Sequence, residues 1–364
     1  MHAIADFQRR AAWRVADLNA DPSWVTQLDA AAGRHLADMI HGVHDPERPL
    51  FDYAASDFDL GPAAKPIHAA FEEALNGRGI ALIKGLPRAG MDEAEYKLLN
   101  WAIGLNVGVA RPQGKASPYI APVRDAGVDY RSASGRGYSS NAKLDFHVDG
   151  ADVGSLGCYN TAKTGGETMF TSGLAAYEAL KAERPDLAEI ACTDFYFSRQ
   201  NEEAPDEGPF YGQPLIDAAE GRLFAKWNRN RVLSAQRIEA TPRLTDIQNE
   251  TMDVMDEILR RPEMMLTLRL EPGDLQIFNN HAMLHSRTVY EDHLEPEKKR
   301  LLWRLWLAPP ASPRLPESWR DFYRAVEPGT VRGGIRGHCH DDACLAFDRR
   351  QAAALGMTAP AAAA

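Results

Sequence analysis

Leu144-Asp145-Phe146-His147-Val148-Asp149-Gly150 alternates as a strand does, with Leu144, Phe146 and Val148 on one face and Asp145, His147 and Asp149 on the other. Residues two apart on a strand point the same way, so His147 and Asp149 can grip one ion together. Gly150 permits a tight exit. The spacing alone decides little, because a second His-x-Asp occurs at His340-Asp341-Asp342. Two distant pieces decide it. One is His285, in Asn279-Asn280-His281-Ala282-Met283-Leu284-His285; the other is the strand Arg300-Leu301-Leu302-Trp303-Arg304. A second imidazole closes a facial set of two histidines and one carboxylate, which leaves three positions of an octahedral Fe(II) open.

The surroundings of His285 read as a hairpin. Leu266 to Leu270 forms one strand, Glu271-Pro272-Gly273-Asp274 the turn, and Leu275 to Phe278 the second strand. In the next strand Arg300, Leu302, Arg304 and Trp306 share a face opposite Leu301, Trp303, Leu305 and Leu307. Two arginines on one face of an apolar strand are costly unless they meet anions. They point to an anionic, bidentate co-substrate.

These motifs resemble the taurine/2,4-D dioxygenase group of Fe(II)/2-oxoglutarate-dependent oxygenases, which includes the γ-butyrobetaine hydroxylase relatives. The resemblance runs over roughly residues 10 to 335. Besides the metal strand it includes Gly79 to Pro87, Tyr138-Ser139-Ser140-Asn141, Gly165-Gly166-Glu167-Thr168 and Trp227-Asn228-Arg229-Asn230-Arg231. It implies a distorted double-stranded β-helix, a cupin-like jelly roll, mainly β with flanking helices (α+β). By the same resemblance His147, Asp149 and His285 ligate iron. Thr168 and Arg300 hold the far carboxylate of 2-oxoglutarate, and Arg304 lies near its iron-side carboxylate or an anionic substrate group. The Leu284-His285-Ser286-Arg287 frame favours His285 over His281, which becomes a residue behind the ligands or a polar loop residue. Val148 stands where the family usually has threonine.

The implied reaction consumes 2-oxoglutarate and O2, releases succinate and carbon dioxide, and oxidises an unactivated C–H bond. Related halogenases replace the carboxylate ligand by a small residue, so Asp149 points to hydroxylation, desaturation or cyclisation. Asn141, Arg229 and Arg231 are the candidate substrate wall, for a small polar molecule carrying a carboxylate, ammonium or phosphonate. A non-catalytic jelly-roll metal-binding sensor or binding module is the reading from another class. It needs no co-substrate clamp, so the two arginines count against it.

Composition agrees with a soluble enzyme. The chain has 364 residues, 45% of them hydrophobic, enough for a large core. A net charge of −10 argues against nucleic acid as a partner. No apolar run is long enough to span a bilayer, and the first residues lack the apolar core of a signal peptide. A cytoplasmic location is expected, with Cys158, Cys192, Cys339 and Cys344 as free thiols and a homo-oligomer open. Three decoys are set aside. Ser140-Asn141-Ala142-Lys143 with Lys163-Thr164-Gly165 mimics penicillin-binding enzymes, but the two elements lie too close together. His338-Cys339-His340-Asp341-Asp342-Ala343-Cys344 lacks the paired spacing of structural zinc sites and reads as an unmetallated C-terminal turn. No Gly-x-Gly-x-x-Gly and no His-Glu-x-x-His occurs.

The expected organisation is a helical lead-in over 1–75, an oxygenase core over 76–335 and a tail over 336–364. Trp24 to Ala32 reads as an amphipathic helix in the lead-in. Residues 111–140, with Ser132 to Tyr138 at their centre, read as a loop and a candidate lid. Residues 173–190 and 245–261 read as helices, the latter with Thr245 and Gln248 in capping-box spacing. Ala352-Ala353-Ala354 and Ala361 to Ala364 look like a loose tail.

Overall fold

The protein was analysed as a computed structural model, which describes residues 2–127 and 139–359. Residues 132–138 of the expected lid and Ala361–Ala364 lie outside the described residues.

Two sheets face one another. The larger runs Val25–Gln27, Ile80–Lys84, Leu275–Asn279, Val153–Asn160 and Leu301–Ala308, with Val109–Ala110 and Ile120–Val123 both paired to Leu301–Ala308. The smaller runs Met265–Leu268, Thr168–Ser172 and Met283–Arg287. Inner faces meet through rings such as Phe170 and Phe278, whose centroids are 5.6 Å apart. This is the jelly-roll sandwich the sequence implies.

The turn at Glu271–Asp274 does not close a hairpin. Met265–Leu268 pairs in the small sheet and Leu275–Asn279 in the large one. The turn therefore carries the chain across the sandwich. Asp274 accepts from the Glu271 amide at 2.9 Å and from Lys84 at 3.1 Å, which holds the corner. The chain crosses back at Asn280–Ala282, so His285 lies in the middle of Met283–Arg287 rather than beyond a hairpin.

Alternation in Leu301–Ala308 decides what each face does. Leu301, Trp303, Leu305 and Leu307 join a core with the helix Glu93–Val107, as do Leu275 and Ile277 from the neighbouring strand. Leu302, Arg304 and Trp306 face inward to the cavity between the sheets. Behind the small sheet lie the helices Gly173–Glu183, Pro185–Ala191 and Asp246–Leu259. The first two replace the single helix expected over 173–190. They break at Arg184, because Pro185 has no amide to continue the ladder and suits a first helical position instead. Thr245 and Gln248 form the capping box of the third, and Ile247 in its first turn is exposed.

Three other expectations change. Residues 25–28 are not helical: a 3-10 turn ends at Trp24, Val25–Gln27 pairs parallel with Leu82–Lys84, and the helix begins at Ala30 under an Asp29 cap. Within 111–140, Ile120–Val123 is a strand against Leu302–Leu305. Ala352–Ala354 ends the helix Asp342–Ala354, whose Phe347 stacks on Phe51 at 4.7 Å and whose Asp348 pairs with Arg111 at 2.8 Å. Among the described residues no helix is long and apolar enough to cross a membrane.

Candidate metal centre and co-substrate cavity

His147 sits in a two-sided bridge rather than a regular strand, paired with His285 on one side and Asn228 on the other. His147 and His285 exchange both backbone hydrogen bonds, at 3.0 and 2.9 Å. Directly opposed residues project to the same side, and the two imidazole centroids lie 4.3 Å apart. Asp149, two residues on, brings its Oδ2 to 3.7 Å from His285 Nε2. One donor atom from each of the three residues lies within 4.8 Å of the others. Two adjacent backbone segments thus supply the whole set.

The electrostatics keep these groups in ligating form. Burial drives the His285 pKa down to about 3, helped by the neighbouring His147, so the ring is neutral. Burial also lowers that of His147, against the pull of Asp149. The His147 Nδ1 is hydrogen-bonded to the Asp145 carbonyl at 2.9 Å; as the donor, Nδ1 leaves the Nε2 lone pair to the site. Burial opposes ionisation of Asp149, but Arg304 and the two histidines outweigh it and hold the carboxyl below its ordinary value. Among the described residues Asp149 Oδ2 is buried with no hydrogen-bond donor in place. An orphaned carboxylate oxygen beside two neutral imidazoles is the donor set a divalent iron takes, and the residues fit it.

The triad opens into a cavity of about 140 Å³, room for small molecules, since a single water needs only ~10–15 Å³. Thr168, Arg300, Arg304 and Arg231 also line it. Arg300 is 5% exposed; it reaches Val123 O at 3.4 Å and lies 5.0 Å from the centroid of the Tyr290 ring. Burial lowers its pKa, and no carboxylate lies within ion-pair distance among the described residues. Gly166 passes so close that a Cβ there would stand 3.2 Å from Arg300 Nε. An anion fits this guanidinium. Arg304 reaches Asp149 Oδ1 at 3.4 Å, and its Nε donates to Gln113 Oε1 at 2.7 Å. Gln113 is itself tied down by donating to Tyr119 O and Arg304 O. Arg304 thus lies on the metal side and Arg300 away from it.

The expected substrate wall needs correction. Arg229 points away from the cavity and bonds Asp253 at 2.6 Å and Asp256 at 2.9 Å. Asn141 is exposed and does not line the cavity either. Arg231 does line it, already bonded to Glu202 at 3.1 Å and Ser198 O at 2.9 Å. His281 is 1% exposed and lies behind the site, 2.7 Å from Asp152, which also binds Arg332. It is a buried strut within the turn between Leu275–Asn279 and Met283–Arg287. In the C-terminal cluster His340 lies 3.2 Å from the Tyr119 hydroxyl.

Sequence reasoning missed several cavity groups, Gln276 and Lys226 among them. Gln276 faces inward with both amide atoms unpartnered, and Lys226 is 3% exposed. Gln276 carries a legible signal, as the polar residue in Leu275-Gln276-Ile277-Phe278.

A jelly roll with a facial two-histidine, one-carboxylate donor set and an anion-ready arginine defines the class. Residues 46–306 match the family described as "Taurine catabolism dioxygenase TauD, TfdA family", and the chain belongs to it. It is an Fe(II)- and 2-oxoglutarate-dependent oxygenase. FR-33289 synthase of Streptomyces rubellomurinus is 27% identical over 301 residues, 82% of this chain and 89% of that protein. A uridine-5'-phosphate dioxygenase of an Amycolatopsis species is 26% identical over 236 residues, 62% of this chain and 83% of its own. Asparagine oxygenase, solved with Fe(II), 3-hydroxyasparagine and succinate, shares the fold at a TM-score of 0.58 and 17% identity, covering 78% of this chain and 93% of that one. The non-heme iron oxygenase OrfP, solved with Fe and α-ketoglutaric acid, gives 0.55 at 15% identity, covering the same shares.

Proposed function

We propose that His147, Asp149 and His285 hold the ferrous ion of this oxygenase, and that Thr168 and Arg300 hold the far carboxylate of 2-oxoglutarate. The observation that carries this is the cross-strand pairing of His147 with His285, with the orphaned Asp149 oxygen between them and one cavity running on to Arg300. Bound iron supplies oxygen activation coupled to oxidative decarboxylation of the keto acid. The chain's own residues do the rest. Arg300 and Thr168 set the direction in which 2-oxoglutarate lies. Arg304 neutralises Asp149 and, braced by Gln113, cannot swing into the space a substrate needs. Leu156, Leu302, Trp306 and Phe322 keep the lining apolar, which limits water around the reacting carbon.

The substrate is a small polar molecule bearing a carboxylate, ammonium or phosphonate, oxidised at an unactivated C–H bond. Relatives named as a synthase and as a dioxygenase of a phosphorylated nucleoside support a small, functionalised metabolite. Retention of Asp149 supports hydroxylation, desaturation or cyclisation.

The test is spectroscopic. Anaerobic Fe(II) and 2-oxoglutarate added to apoprotein should give a weak visible charge-transfer band, which oxygen then bleaches. The band should vanish in His147→Ala, Asp149→Ala and His285→Ala. It should persist in His281→Ala, whose loss lowers only the melting temperature. No band in folded, iron-loaded wild type sinks the assignment, and a band lost in His281→Ala but kept in His285→Ala would move the second histidine.

A further inference from the structure

Ala225–Asn228 runs antiparallel beside the metal-binding segment. His147 bridges Asn228, and the Val148 amide donates to Trp227 O at 2.9 Å. This register sets Lys226 opposite Asp149, and opposed residues project to one side. Both line the cavity.

Among the described residues, aromatic rings pack around the Lys226 ammonium. It lies 4.4 Å from the Phe322 ring centroid, 5.7 Å from that of Tyr323 and 5.9 Å from that of Tyr211. Among the described residues it has no hydrogen bond and no carboxylate within ion-pair distance. The cations around it are engaged: Arg231 with Glu202, Arg199 with Asp321 at 2.6 Å, and Arg304 with Asp149. Burial, then repulsion from Arg231, brings the Lys226 pKa down to about 7, with Asp149 pulling the other way. Aromatic faces repay only part of the cost of desolvating an ammonium. A methionine would fill the same space without that cost. The fold recovers only part of the cost of the charge, which leaves it available to what enters the cavity.

We propose that Lys226 is the cation that recognises an oxyacid group (carboxylate, phosphonate or phosphate ester) on the primary substrate. This rests on the assignment of the iron and 2-oxoglutarate sites above. It removes the ammonium from the head groups considered there. The anion would sit on the Asn228–Lys226 wall of the cavity that Arg300 and Arg304 also line. It would therefore hold one end of the substrate while the reacting carbon lies beside the triad.

The test uses the ferrous enzyme with saturating 2-oxoglutarate, kept anaerobic, at constant ionic strength. Methylphosphonate, acetate and methylammonium are titrated against the melting temperature of wild type, Lys226→Met and Lys226→Arg. A ligand that binds only the folded state raises that temperature by linkage. We expect at least one oxyanion to raise wild type by roughly 2 °C or more, and methylammonium to raise it not at all. The preferred probe shows which oxyacid fits. Lys226→Met should lose the rise while keeping the 2-oxoglutarate band and melting no lower than wild type without probe. Lys226→Arg should recover part of the rise. An equal rise in Lys226→Met, or none in wild type whose band is present, overturns this proposal alone. A drop in the unliganded melting temperature of Lys226→Met with the oxyanion response intact marks a structural lysine and also overturns it. A band missing from wild type is instead the failure of the iron and 2-oxoglutarate assignment.

Discussion

Arg300 carries a charge into the protein interior, where among the described residues it meets a long carbonyl contact and the Tyr290 ring but no carboxylate, and that imbalance governs what its variants should do. A carboxylate bound to a buried guanidinium through two parallel bonds is worth more than one bound to a point charge. Arg300→Ala should therefore raise the Michaelis constant for 2-oxoglutarate roughly ten- to hundredfold. Arg300→Lys should recover only part of that, and Thr168→Val should cost about three- to tenfold. Initial rates at varied 2-oxoglutarate would measure all three, and unchanged constants would mean that the co-substrate is held elsewhere. At this scale the sequence was informative where a strand carried the residue, because period two fixes direction. His147 with Asp149, and Arg300 with Arg304, kept that direction in the fold. No such periodicity guides the placing of Arg229 and Arg231 together on the candidate substrate wall. They open a short helix, Arg229–Ala235, in which residues two apart diverge by about 200°. One arginine therefore meets the cavity while the other meets the aspartates of Asp246–Leu259, a helix no local pattern connects to it. Lys226 was illegible for a different reason. Its place opposite Asp149 exists only once Trp227 and Val148 have paired.

Gly165 and Gly166 show how an element, rather than a residue, builds the co-substrate end. Both have positive φ, +71° and +76°, so a side chain at either is strained. Their surroundings differ. A Cβ on Gly165 would lie 2.1 Å from the Val289 carbonyl, where Thr164–Gly165 pairs with Tyr290–Glu291. A Cβ on Gly166 would press on Arg300 Nε at 3.2 Å. Backbone cannot move aside as a side chain can. Gly165→Ala should thus lower the melting temperature more, whereas Gly166→Ala should show the larger rise in the Michaelis constant for 2-oxoglutarate relative to its loss of stability. Thermal melts and steady-state kinetics on the two proteins would check this. Equal effects on both measures would mean that the turn acts only as a hinge for the fold. The sequence marked this turn through its two glycines. It did not mark the crossing at Glu271–Asp274, where the same residue types that close hairpins carry the chain between sheets. Strand pairing, which is non-local, chooses between those outcomes.

Over the whole molecule, the C-terminal helix Asp342–Ala354 is tied to the active cavity through one buried ion pair. Arg111 and Asp348 meet at 2.8 Å with side chains 4% and 0% exposed, and Tyr119 donates to the other Asp348 oxygen at 3.1 Å. The Arg111 amide donates to Trp306 O, and Gln113, two residues on, braces Arg304. A helix that reads from sequence as an alanine-rich tail is therefore a wall behind the co-substrate strand. Its alanines misled because they are small enough to pack closely: Ala352 is fully buried beside Val109 and Ala308. Removing one partner of a buried pair leaves the other charge desolvated, which costs about 3–5 kcal/mol. Asp348→Ala should lower the melting temperature by roughly 5 °C or more. Asp348→Asn, which keeps the side-chain volume and one oxygen that can accept from Tyr119, should cost less. Since the brace on Arg304 runs through the same segment, Asp348→Ala should also weaken coupling of 2-oxoglutarate decarboxylation to substrate oxidation, read as succinate formed per product. A variant with wild-type stability and coupling would return this helix to the status of a loose appendage.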